Sequence, residues 1–141
     1  MSLDPIFDVQ QAIYDRLTTG VNKINYPVYD DIPDDPPNHV VELQPVNVQD
    51  NSAKTCPLHI CIFFINCWTT DKQNSTISKM FNEISQSLTF SSDYTPNPLT
   101  ISNFNFVGCY SRDRQINKQP DNSQFIYQGV MEVEIWVQET E

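Results

Sequence analysis

Leu58-His59-Ile60-Cys61-Ile62-Phe63-Phe64-Ile65-Asn66-Cys67-Trp68 decides the fold. It is the longest apolar run in the chain and is rich in β-branched and aromatic residues, which suit a pleated strand better than a helix. With a period of two, Leu58, Ile60, Ile62, Phe64 and Trp68 share one face, and His59, Cys61, Phe63, Ile65 and Cys67 share the other. Both faces are mostly apolar, so both call for cover. A helix layer can supply one cover. The other comes either from a small second layer of the same chain or from another copy of the protein.

Two helices flank this strand in the sequence. Asp4-Pro5 opens the first, with Asp as N-cap and Pro at the first helical position. Ile6, Val9, Ile13 and Leu17 then recur at spacings of three and four, and Gly20 supplies a left-handed stop. The second starts at Asn74 or Ser75 and carries the stripe Ile77, Met80, Phe81, Ile84 and Leu88. Helices are therefore expected near Pro5–Thr19 and Ser75–Thr89, each with one buried face.

The remaining segments read as strands and loops. Val28-Tyr29 after Pro27 suits a short edge strand, because proline cannot donate to a central ladder. Pro33 to Asn38 is an acidic, turn-rich loop. His39 to Val48 is a strand with a bulge or edge position at Pro45, followed by a polar turn at Asn51-Ser52-Ala53-Lys54. Ser91 to Pro98 is a loop. Leu99 to Tyr110 is strand-like, with a bulge at Gly108. Ser111 to Asn122 has few apolar residues and reads as a long mobile hairpin loop. The last strand, over Gln124–Gln138, alternates Phe125, Tyr127, Met131, Val133, Ile135 and Val137 with Gln128, Glu132, Glu134 and Gln138. Ile126, Val130 and Trp136 interrupt its wet face and are candidates for a contact surface. The order α-β-β-β-α-β-β predicts a single α+β domain over residues 1–141. It is an antiparallel sheet of four to five strands with two helices packed on one face.

Composition narrows the function. Eight Lys plus Arg against 18 Asp plus Glu leave a net charge of −10. Such a chain lacks the basic patch that binding nucleic acid or an anionic membrane requires. No stretch reads as a secretion signal or a bilayer span, so the expectation is a protein made and kept in a cytoplasm. Cys56, Cys61, Cys67 and Cys109 include no CxxC pair and read as small core residues. The four aspartates Asp30, Asp31, Asp34 and Asp35 lack the Gly-centred spacing of a calcium loop and read as a solvated or partner-facing segment. No phosphate loop, GxSxG or HExxH is present, so no catalytic residue, metal site or cofactor is expected. A Cys/His pair is the one enzymatic alternative.

The helix Ile6-Phe7-Asp8-Val9-Gln10-Gln11-Ala12-Ile13-Tyr14-Asp15-Arg16-Leu17, then Val28-Tyr29-Asp30-Asp31-Ile32-Pro33 and His39-Val40-Val41-Glu42-Leu43, carries a family pattern. With the second helix and the terminal hairpin, it resembles the tail completion proteins of long-tailed bacteriophages and prophages, also called head-to-tail joining or tail terminator proteins. The resemblance covers nearly the whole chain, and it rests on pattern and order, since no motif in it is catalytic. It implies a structural virion protein, assembled in the host bacterial cytoplasm. It implies a hexameric ring that caps the tail tube, meets the head connector or adaptor and lets DNA cross its lumen. Its partners would be further copies of itself, the tail tube protein and the connector, with no specific nucleic-acid binding and no membrane. Another virion or prophage assembly protein of the same fold is the alternative. The expected contact residues are Asp30, Asp31, Asp34 and Asp35 in one loop, Arg112, Arg114 and Lys118 in the other, and the apolar Ile126, Val130 and Trp136.

Overall fold

The computed structural model describes residues 4–20, 23–52, 57–88 and 99–139. The loop expected at Ser91–Pro98, the Ala53-Lys54 part of the polar turn, and Cys56 lie outside them. The elements run α1 (Ile6–Thr18), β1 (Val28–Tyr29), β2 (His39–Ser52), β3 (Pro57–Thr69), α2 (Ser75–Leu88), β4 (Phe104–Lys118) and β5 (Tyr127–Glu139). They form an α+β fold with one five-stranded sheet in the order β1-β2-β3-β5-β4.

The helix boundaries follow local chemistry. Asp4 Oδ1 accepts the Ile6 N–H at 3.1 Å, and the first helical bond runs from Val9 N–H to the Pro5 carbonyl. At the other end Gly20 takes φ +77°, the left-handed stop its sequence position implies. Helix α2 begins on the Asn74 carbonyl, which accepts from both Ile77 and Ser78.

The central strand is β3, and its two faces divide as its alternation requires. Cys61, Phe63, Ile65 and Cys67 join Val41 and Leu43 of β2 and Met131, Val133, Ile135 and Val137 of β5 in one core. Onto that face pack Val9, Ala12, Ile13 and Leu17 of α1 and Ile77, Met80, Phe81, Ile84 and Leu88 of α2. Helix α1 lies over the β1–β2 side, and α2 lies over β3 and β5. At Gly129 the helix comes so close that an added Cβ would stand 2.4 Å from Ile77 Cγ2 and 2.7 Å from Phe81 Cζ.

Three expectations need correction. The sheet is mixed: β1 runs parallel to β2, paired through Val28–Val41 and Tyr29–Glu42, and the other pairs are antiparallel. A two-residue strand needs only a short return, and residues 30–38 bring the chain back to the same end of the sheet. Second, Ser111–Lys118 is not loop but the outer half of β4, paired through to Tyr127, so the hairpin loop is confined to residues 119–126. This half is an edge exposed along its length, so ladder hydrogen bonds and not burial hold it, and its polar side chains hid it. Third, Leu99 and Ile101 are buried but precede the strand, which begins only after Asn103, at φ +67°. The bulges expected at Pro45 and near Gly108 are both present, between Pro45 and Asn47 and between Phe106 and Gly108.

Candidate functional site

No helix among the described residues packs on the other face of the sheet, where Ile60 and Ile62 are nonetheless buried and Leu58, Phe64, Trp68, Val130 and Trp136 are half-buried. Leu58, Ile60, Ile62, Phe64 and Trp68 of β3 lie on it, with Val130 and Trp136 of β5 beside them. Trp136 meets the Tyr110 ring edge-on at 6.0 Å, and Tyr110 folds across Gly108, where a side chain would collide with it. Trp68 leans on Phe125 at 5.5 Å. The indole N–H groups of Trp68 and Trp136 are buried and find no acceptor.

Polar groups frame this strip and are paired within the chain. Asn66 is nearly buried and donates through Nδ2 to Glu42 and to Gln44, each at 3.1 Å. Arg112 reaches Glu132 at 3.2 Å and Glu134 at 3.6 Å, and both carboxylates are largely shielded from solvent. Of the cations expected to meet a partner, Arg112 is thus already held by its own β5. Arg114 and Lys118 are exposed on β4, and no ion pair holds either among the described residues. Ile126 is half-buried in the hairpin loop, where its N–H donates to Thr69 and its carbonyl accepts from Gln119. Asp30, Asp31, Asp34 and Asp35 are all exposed, beyond the end of β1. The acidic and basic groups are therefore brought not together but to opposite edges of one sheet.

Two features escaped the sequence reading. The first is a groove on α1, of about 170 Å³, lined by Phe7, Gln10, Gln11, Tyr14 and Asp30. Phe7 is 73% exposed and Tyr14 37%. Both lie off the buried stripe of α1, and an aromatic off the stripe is the signal that could have found them. The second is His59, only 2% exposed at the far end of the sheet. Its Nδ1 faces Asp50 Oδ1 at 2.5 Å and its Nε2 faces Glu139 Oε2 at 2.9 Å, with the Phe104 ring edge-on at 5.9 Å. A carboxylate on each nitrogen favours the doubly protonated ring, in which both nitrogens donate. Burial works to lower its pKa, but the hydrogen bonds and charges of Glu139 and Asp50 together outweigh it, and the pKa is raised. His59 thus ties the ends of β2, β3 and β5.

Among the described residues, the thiols are not activated. Burial pushes Cys61 up to about 12 and raises Cys67 and Cys109 too, the reverse of what a nucleophilic cysteine needs. Among the described residues no group of His, Cys, Asp and Glu is arranged to hold a metal ion. None of the described helices is long and apolar enough to cross a membrane.

The profile of the Tail completion protein gp17 family matches residues 11–138, nearly the whole chain. The chain belongs to the tail completion protein gp17 family. It is a structural protein of the phage tail, located in the virion. A solved chain from the virion of a native gene transfer agent particle is similar in fold, with a TM-score of 0.77 at 22% identity. That match covers 97% of this chain and 99% of the other. No match to a curated protein was found.

Proposed function

We propose that this tail completion protein assembles as a hexameric ring that closes the end of the tail tube and joins it to the head connector, with DNA passing through its lumen. The observation that carries the reading is the helix-free sheet face. Helices cover one side of β3, while no helix among the described residues packs on the other side, where Leu58, Phe64, Trp68, Val130 and Trp136 are half-buried. An apolar strip with two aromatic anchors is where binding energy concentrates at a protein contact. The net charge of −10 suits a lumen that DNA must cross without adhering.

In this reading Ile126, Val130 and Trp136 supply contact area, and the charged loops and edges set register. The test is electron microscopy of the protein added to tail tubes that lack it. A ring at one end of each tube supports the proposal, and binding along the tube or to heads alone refutes it. Binding to heads alone is also what the alternative, another virion assembly protein of this fold, would give.

A further inference from the structure

The two edges of the sheet differ in charge and match in height. Val28 of β1 pairs with Val41, Val41 with Cys67, Cys67 with Gly129 and Gly129 with Ile116 of β4. One rung thus crosses the whole sheet from the β1 edge to the β4 edge, about 19 Å at the usual strand spacing. Arg114 lies two residues from Ile116, on the rung Leu43–Ile65–Met131–Arg114. Asp30 follows Tyr29, whose partner is Glu42, so the next step along β1 brings Asp30 level with that same rung.

The side chains at the two ends are complementary. Arg114, Ile116 and Lys118 stand on one side of β4, the side that carries Met131 and Tyr127 on β5. Ile116 is 40% exposed between the two cations. Asp113 stands on the opposite side, and its Oδ1 accepts the Arg114 N–H. At the β1 edge the α1 groove offers Phe7 and Tyr14 with Asp30 at its rim, and Gln10 Nε2 donates to Asp30 Oδ1 at 3.2 Å. Arg16, the only cation of α1, is turned away, with its Nε donating to the Ser87 carbonyl of α2. The groove, at about 170 Å³, has room for a branched aliphatic side chain.

We propose that the Phe7–Tyr14–Asp30 groove of one copy receives the Arg114–Ile116–Lys118 edge of the next, with Ile116 in the groove and Arg114 against Asp30. The inference rests on the ring reading and names the contact that closes it. A contact between two different surfaces is head-to-tail, and it closes a ring only when successive copies are related by rotation without axial rise. Two edges on one rung of the sheet suit that condition. Two edges offset along the strands would instead build a helical filament.

Three chains test it on tails lacking the protein: Arg114→Glu/Lys118→Glu, Asp30→Lys/Asp31→Lys, and all four changes together. Each doubly changed chain should lose ring formation, since its altered edge meets an unaltered edge of like charge. The fourfold chain should regain it, and so should an equimolar mixture of the two doubly changed chains, whose edges again alternate in sign. Rings from either doubly changed chain alone, or no recovery in the mixture and the fourfold chain, would overturn the contact. If the charge changes abolish the native melting transition, the Tyr14→Cys/Ile116→Cys chain decides. Oxidation on tails should then give a ladder of disulfide-linked multimers absent from either single variant, and its absence overturns the contact. If the unaltered protein forms no ring on tails, the ring reading itself fails, which is a different result from unaltered rings that ignore these substitutions.

Discussion

Gly129→Ala tests how α2 sits on the sheet. The new Cβ would meet Ile77 Cγ2 at 2.4 Å and Phe81 Cζ at 2.7 Å, where ordinary contact begins near 3.4 Å. Ile77 is β-branched and stiff at χ1, so its Cγ2 cannot swing aside, and the helix backbone must lift or Phe81 must leave its rotamer. Overpacking of this kind costs ~1–3 kcal/mol. Against it stands the loss of glycine's freedom in the unfolded chain, which stabilises by about 0.4–1 kcal/mol where the backbone is compatible. The clash wins, for a net loss of about 0.5–2 kcal/mol. For a chain of this size that lowers Tm by roughly 2–10 °C, readable by circular dichroism. Ile77→Ala alone should cost ~2–5 kcal/mol through the cavity it leaves. Combined with Gly129→Ala it should cost less than the sum, because one methyl replaces the other. A Gly129→Ala protein melting at or above the wild type, or strictly additive variants, would falsify the close packing of α2 on β5.

Ile13→Asp or Ile84→Asp should abolish the native melting transition, since each places an unpaired charge at a fully buried position at a cost of several kcal/mol, on the order of the total stability. His59 makes stability depend on pH. Its folded pKa is raised above 6.5, so its contribution is complete below 6.5 and fades as pH climbs through the raised value. The Tm gap between wild type and His59→Gln should therefore be widest in mild acid and narrow toward alkaline pH, and a gap that widens instead would show that the ring is neutral in the fold. A thiol reagent should label at most one cysteine per native chain, because Cys61, Cys67 and Cys109 are buried with raised pKa values, and all four after denaturation. The free protein should show no salt-sensitive, sub-micromolar affinity for duplex DNA, given its net charge of −10.

The fold was legible wherever one periodicity ran unbroken. Ile6–Val9–Ile13–Leu17 and Ile77–Met80–Phe81–Ile84–Leu88 face a core that β3 and β5 complete by strict alternation. Burial repeats with the element, so its signal repeats in the sequence. The outer half of β4 was not legible, because its residues are held by the ladder to β5 and exposed on their side chains. A strand of that kind obeys no hydrophobic period. The His59 clasp was hidden for another reason: Asp50, His59 and Glu139 come from three strands, and only register brings them together.

The candidate contacts lie where pattern and burial disagree. Phe7 and Tyr14 sit off the buried stripe of α1, Ile116 sits between two cations on an edge, and Trp136 and Val130 interrupt the polar alternation of β5. None is needed to satisfy the core, since the helix-side face is complete without them. Each leaves apolar surface in water, at about 25 cal/mol per Å². Exposed Phe7, Tyr14 and Ile116, and the half-buried Val130 and Trp136, give a monomer no return for that surface. Under the proposed contact the gain would come when copies meet, with the shared rung from Val28 to Ile116 setting the geometry of that meeting. Strand register, fixed by the core, therefore also fixes the relative height of the two edges. A one-residue slip between β5 and β4 would shift Arg114 along the sheet by about 3.4 Å and turn its side chain to the other face. Forcing such a slip only in the outer half of β4, from Asp113 to Lys118, should leave Phe104 and Cys109 in the core and still destroy the contact.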